Sequence, residues 1–192
     1  MQQQELINYI ESSILEFGQK FINPKYSCCF FGSEGDIKCY LYSLIAKNKE
    51  FLEDLEYTIE EGDKITTLRL HSELPTFEKI NTNPGRFDIC VINPDDAAKD
   101  NLACIEIVWI SGVEESKKIL KEELDKLSNI SNDLENGYII ILNDYKGFTN
   151  KDMSNLRKFK ENYNKITFFV FDAIKHRTIL DSELTKNGKI KY

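Results

Sequence analysis

Apolar residues recur at Leu6, Ile10, Ile14, Phe17 and Phe21, the spacing of a helix with one buried face, and the pattern stops at Asn23-Pro24. A second helix is predicted from Ser33, because Ser33-Glu34-Gly35-Asp36 has the form of a capping box with Asp in place of Glu or Gln. Its buried stripe is Ile37, Tyr40, Leu41, Leu44 and Ile45. Residues 51–63 are acidic and without a clear period. A strand is predicted over 66–74 and a loop over 75–84, between Pro75 and Pro84. Two strand-like runs follow, Gly85 to Ile92 and Ala103 to Trp109, each with one carboxylate in its middle. A long helix is expected over 113–134, with Val113, Leu120, Leu124, Leu127 and Leu134 as its stripe. The unbroken apolar run Gly137 to Leu142 reads as a strand covered on both faces. A shorter helix (Met153, Leu156, Phe159, Tyr163) and a buried strand, Ile166 to Phe171, complete the series. This order predicts an α/β fold with one mixed central sheet flanked by helices.

The chain has 192 residues, enough for a single domain with its own core. That domain divides into N-terminal helices (1–50), a core of sheet and helices (64–171) and a basic C-terminal tail (172–192). The sequence holds no apolar run of bilayer-spanning length and no leader pattern, so a soluble, cytoplasmic protein without membrane contact is expected. Cys28, Cys29, Cys39, Cys90 and Cys104 lack metal-site spacing, and neither His71 nor His176 lies near a cysteine pair. The cysteines therefore read as small buried hydrophobes. The net charge of −7 argues against a generic nucleic-acid binder, but it is unevenly spread. From residue 151 onward ten Lys/Arg face five Asp/Glu, which leaves −12 on the remainder. A basic C-terminal part fits either a phosphate-gripping surface or a merely solvated face.

Asp88 and Glu106 carry the sharpest signal. A charge inside an apolar strand is costly to desolvate unless something pairs with it. Side chains alternate along a strand, so Asp88 shares a face with Cys90 and Ile92, and Glu106 with Cys104 and Val108. If the two strands pair in that register, both carboxylates can grip one divalent cation. Mg²⁺ suits such a sparse site because it keeps waters and takes further ligands from substrate phosphate. The alternative is structural: both acids hydrated near strand ends, or paired with Arg86 or a lysine.

An acid at a helix start, a His71-Ser72-Glu73 strand, an Arg86-Phe87-Asp88 strand and a Glu106-Ile107-Val108 strand, then a helix and an apolar strand, resemble the PD-(D/E)XK, or restriction-endonuclease-like, nuclease superfamily. The resemblance covers roughly residues 33–142. It implies an αβββαβ core and a metal-dependent phosphodiesterase acting on DNA, with RNA as a second substrate class. It further implies Mg²⁺ or Mn²⁺ at Asp88 and Glu106, Glu73 as an added metal ligand, Glu34 as the assisting helix acid, and a homodimer as in many restriction-type members. By helical azimuth Glu34 falls in line with Leu41 and Ile45, toward the core, whereas Asp36 points away. Glu34 also reads simply as a first-turn acid complementing the helix dipole, and Glu73 as an exposed strand residue.

The chain departs from this family at Val108, where the family has a lysine. Losing that positive group removes charge stabilisation in the transition state. Lys117 lies about 60° from Leu120 on the following helix and is the expected displaced lysine, reaching in from the margin of the buried face. Lys118 should face solvent. Lys126 falls far round the helix from Leu120, which predicts a surface or DNA-facing role. Arg157, Lys158, Lys160, Lys175, His176 and Arg177 are candidate phosphate contacts, each with a solvated position as its alternative. Trp109, the sole tryptophan, reads as core or rim. No phosphate loop or nucleophile elbow is present. The leading expectation is a metal-dependent nuclease. Its rivals are a catalytically inactive nuclease-fold module that binds nucleic acid or protein, and an unrelated α/β domain whose strand acids are structural.

Overall fold

The computed structural model describes residues 3–26, 31–58, 64–80, 83–93, 101–129 and 134–185. Cys28, Cys29 and the basic stretch beyond 185 lie outside them. Helix α1 (Gln3–Phe21) and helix α2 (Glu34–Ile45) precede a two-stranded sheet of β1 (Asp54–Thr58) and β2 (Lys64–Leu68). The main sheet has six strands: β3 (Leu70–Ile80), β4 (Asn83–Ile92), β5 (Asn101–Trp109), β6 (Leu134–Asn143), β7 (Thr167–Asp172) and β8 (Arg177–Leu180). They lie in chain order across the sheet; β3, β4 and β5 form an antiparallel meander, β5, β6 and β7 run parallel, and β8 turns back antiparallel. Helix α3 (Lys117–Ser128) links β5 to β6, α4 (Asn150–Asn162) links β6 to β7, and a short α5 (Asp181–Leu184) follows β8. The protein is thus a mixed α/β fold.

Two apolar clusters sandwich the sheet. One joins α1 and α2 to Ile89, Val91, Ile105, Ile107, Ile140 and Leu142. The other joins α3 and α4 to Cys90, Cys104, Val108, Ile139, Ile141 and Val170. Alternation along β6 feeds both, which is why its run of isoleucines reads as uninterrupted. The predicted face of α1 is buried throughout (Leu6, Ile10, Ile14, Phe17, Phe21). At Gly18 the helix comes so close to the sheet that a Cβ would stand 1.8 Å from the Phe171 ring. The predicted cap of α2 forms as well: Ser33 Oγ accepts from the Asp36 N–H at 3.2 Å, while the Asp36 carboxylate accepts from Ser33 Oγ and from the Gly32 N–H.

Four expectations need correction. The acidic stretch after residue 51 contains β1, whose pairing with β2 gives it an order that no hydrophobic period announces. The strand expected over 66–74 breaks at Arg69, where the chain leaves the small sheet; the Arg69 N–H bonds the Glu53 carbonyl and the Arg69 carbonyl accepts from Ile92. The region expected as a loop is instead the continuation of β3 and the start of β4. Proline is tolerated there because β3 has one neighbour, and β4 pairs with β5 only from Ile89 onward. Finally, α3 ends at Ser128, and Leu134 opens β6 rather than closing the helix.

Candidate functional site

Asp88 lies where β3 and β4 both turn over. Ser72 is opposite Ile89 and Leu74 opposite Phe87, so Glu73 and Asp88 face each other across the step. Glu73 there adopts a left-handed backbone, with φ of 58°. On one side of the step Leu70 and Ile89 pack in the α1–α2 cluster; on the other, Leu74 and Phe87 pack in the α3–α4 cluster, despite unchanged parity along each strand. Strained backbone of this kind collects at functional sites. The step frees Asp88 from the face of Cys90 on which alternation had placed it. Its Oδ2 accepts from the Ile107 N–H at 2.8 Å, tying β4 to β5 beside Glu106.

Each acid is held by a lysine from a different helical layer. Lys38 of α2 places its ammonium 2.7 Å from Asp88 Oδ1, 2.7 Å from Glu73 Oε1 and 3.4 Å from Glu34 Oε1. Lys126 of α3 lies 2.7 Å from Glu106 Oε1, contacts Glu123 and donates to the Arg86 carbonyl at 2.8 Å. Glu106 is almost wholly buried, at 1% exposure. Burial first, then the field of Asp88, pushes its carboxyl well above the ordinary range, and Lys126 pulls the other way. Burial also works against both ammonium groups. For Lys38 the carboxylates of Asp88 and Glu73 outweigh it, and for Lys126 those of Glu106 and Glu123 do, so both lysines titrate above their usual value.

The candidate site residues fall into separate groups in the fold. Asp88, Glu73 and Glu34 meet at Lys38, and Asp88 lies close enough to Glu106 to act on its titration. Glu34 does not point into the core as its azimuth predicted. It lies on the first turn of α2, half exposed, and turns toward Lys38. Lys117 pairs with Glu114 at 2.9 Å and is half exposed. Lys126, expected at the surface, is instead a buried partner of Glu106. The stripe of α3 centres between Leu120, Leu124 and Leu127, and a long stem from its margin reaches the strand beneath. Val108 packs in the α3–α4 cluster on the side of β5 that carries Glu106. A lysine there would enter apolar core, so positive charge arrives from the helix. Sequence reasoning missed Lys38 altogether; its signal was the Glu34–Lys38 spacing of four residues.

Most basic candidates in the C-terminal part are engaged internally. Lys160 pairs with Asp181 at 2.7 Å and donates to the carbonyls of Asn164 and Ile166. Arg177 pairs with Glu183, Lys175 donates to the Phe148 carbonyl, and His176 Nδ1 bonds the Ile22 carbonyl. Trp109 packs edge-on against Phe21 and donates to Asp144, as a rim residue would. Cys90 and Cys104 are buried with sulfurs 2.7 Å apart, but Cys39 is exposed on α2, contrary to the reading of the cysteines as uniformly buried.

As a cation site the arrangement is sparse. Among the described residues no three His, Cys, Asp or Glu side chains are grouped to hold a metal ion. Carboxylates spread to ammonium distances are wider than the coordination shell of roughly 2.0–2.1 Å that Mg²⁺ demands. Two acids remain, Asp88 and Glu106, and each already has an oxygen against a lysine ammonium, Asp88 Oδ1 with Lys38 and Glu106 Oε1 with Lys126. Two carboxylates alone would suit only a cation that keeps most of its waters and takes the place of those ammonium groups. Among the described residues no helix is long and apolar enough to cross a membrane. Compared with known proteins, the chain matches no family model, no curated protein and no solved structure.

Proposed function

We propose that this protein is a nuclease of the restriction-endonuclease-like type, hydrolysing phosphodiester bonds in DNA at Asp88 and Glu106, with Mg²⁺ or Mn²⁺ as cofactor. After α2 and the separate β1–β2 sheet come three antiparallel strands, α3 and a parallel β6, an order compatible with the αβββαβ core that the sequence resemblance implies. The observation that carries the reading is the Lys126 ammonium 2.7 Å from Glu106, which supplies from the helix the charge that Val108 cannot. When bound, the metal would polarise the phosphate and lower the pKa of a water. Asp88 is anchored through Oδ2, and Asp88 Oδ1 and Glu106 Oε1 would be the oxygens to hold the ion, each now against a lysine ammonium. Lys126, positioned by Glu123 and the Arg86 carbonyl, offsets negative charge growing on phosphate.

The test is incubation with Mn²⁺ and duplex DNA, single-stranded DNA or RNA. Cleavage by the parent chain is expected, with none from Asp88→Ala. For Lys126→Met a fall of about 10²–10³-fold is expected, the size associated with one lost charge-stabilising donor. Cleavage that survives Asp88→Ala, or none on any of the polymers, would overturn the reading.

One observation favours a second reading, a catalytically inactive module of the same fold. Lys38 and Lys126 neutralise both strand acids with no metal required. Salt-dependent nucleic-acid binding without cleavage would select it.

A further inference from the structure

A cavity lies at the carboxyl ends of the parallel strands, on the face of β5 turned away from Glu106 and Val108. Trp109 ends β5, Asp144 follows β6, and Ile174 and His176 belong to the turn after β7; Phe21 of α1 and Phe31 close the other side. Open α/β sheets receive their ligands at this end of the strands. The cavity measures about 290 Å³. An apolar cavity of about 150 Å³ takes a benzene ring, so this one has room for a ring with a short arm. Ile174 is 49% exposed, which opens the space to solvent beside it.

The lining selects a particular chemistry. Phe21 stands edge-on to Trp109 with ring centres 6.2 Å apart and lies 6.2 Å from Phe31, so three aromatic rings are fixed at the wall. Asp144 Oδ1 accepts from Trp109 Nε1 at 2.8 Å, which holds a carboxylate beside the indole. A carboxylate can accept at about four lone-pair positions, so that bond does not exhaust it. His176 Nδ1 donates to the Ile22 carbonyl at 2.8 Å, and in the neutral ring Nε2 is then an acceptor as well. His176 keeps its place through a left-handed backbone, φ 48°, a conformation that persists where the surroundings enforce it. Aromatic faces next to a negative, acceptor-rich edge favour a flat ring that carries a positively charged donor.

We infer that this cavity is a binding site for a small aromatic amine, its ring among Phe21, Phe31 and Trp109 and its ammonium against Asp144. The site is separate from Asp88 and Glu106 and needs neither metal nor nucleic acid. Because Trp109 is the sole tryptophan, its fluorescence reports occupancy directly.

Three probes titrated into the full chain separate the contributions: phenethylamine has ring and ammonium, phenylpropionate has the ring with a carboxylate, and hexylamine has the ammonium without the ring. Phenethylamine should change Trp109 emission saturably at up to millimolar concentration and raise Tm, and the other two should bind at least about tenfold more weakly. Asp144→Asn keeps an oxygen for the indole N–H while removing the charge, and should weaken phenethylamine about 10–100-fold, the span of one hydrogen bond to a charged group. Ala173→Leu fills the cavity from its own wall and should abolish the response. No saturable change with phenethylamine would overturn the inference. So would phenylpropionate or hexylamine binding as tightly, or an affinity that neither Asp144→Asn nor Ala173→Leu alters.

Discussion

Replacing Lys126 by methionine keeps the aliphatic stem and removes the charge that faces Glu106. Breaking one side of a buried ion pair costs about 3–5 kcal/mol while the remaining group stays charged. Glu106 has another exit, which is to take up a proton. Burial and Asp88 already hold its carboxyl well above the ordinary value of 4.5, with Lys126 opposing them. The native state therefore keeps a proton that the unfolded chain has released, and stability falls as pH rises from 4.5 through the folded-state pKa. The slope for one proton is at most about 1.4 kcal/mol per pH unit. Without Lys126 the folded pKa rises further, so the decline persists to higher pH. Lys126→Met should thus lie nearest the parent at about pH 5 and lose ground with each unit above it, until the cost of the charged, unpaired carboxylate is reached. Urea unfolding from pH 5 to 8.5, followed by the fluorescence of the single tryptophan, Trp109, measures this directly. Adding Glu106→Gln should flatten the pH dependence. A loss that is the same at every pH, or a double variant no flatter than Lys126→Met, would refute the reasoning.

Two further outcomes are expected. Gly18→Ala drives a Cβ into the ring of the fully buried Phe171, so a cost of about 1–3 kcal/mol and a lower Tm should follow in thermal unfolding; an unchanged Tm would show that α1 is not seated this closely. In native protein, iodoacetamide should label Cys39 readily and Cys104 only in denaturant, since burial pushes the Cys104 thiol well above its usual range. Peptide mass spectrometry reads both, and equal native labelling would contradict the burial.

Much of the fold can be read along the chain because its elements carry strong periods. The face of α1, the cap at Ser33 and the unbroken apolar run of β6 each rest on local rules that packing reinforces. Elements set by pairing alone escape such reading: β1 has no hydrophobic period, and the arm of β3 and β4 bears prolines that only an unpaired strand edge tolerates. At the site, Asp88 and Glu106 stand out because a lone charge in an apolar run needs an explanation. The partners of those acids were obscure for a geometric reason. Azimuth on an ideal helix locates a Cα, whereas Lys126 acts through an ammonium several ångströms away at the end of a flexible stem. The turn-over at Glu73 and Asp88 is likewise invisible to strict alternation, which assumes that a strand keeps its faces from end to end.

Neither cation rides on the strands that carry the acids, and this makes charge balance a fastening between layers. Prising α2 or α3 from the sheet would strand a carboxylate without its counter-charge, so delamination is opposed by electrostatics as well as by lost apolar contact. Loss of either lysine would loosen one of these two rivets and weaken the hold of its helical layer on the sheet.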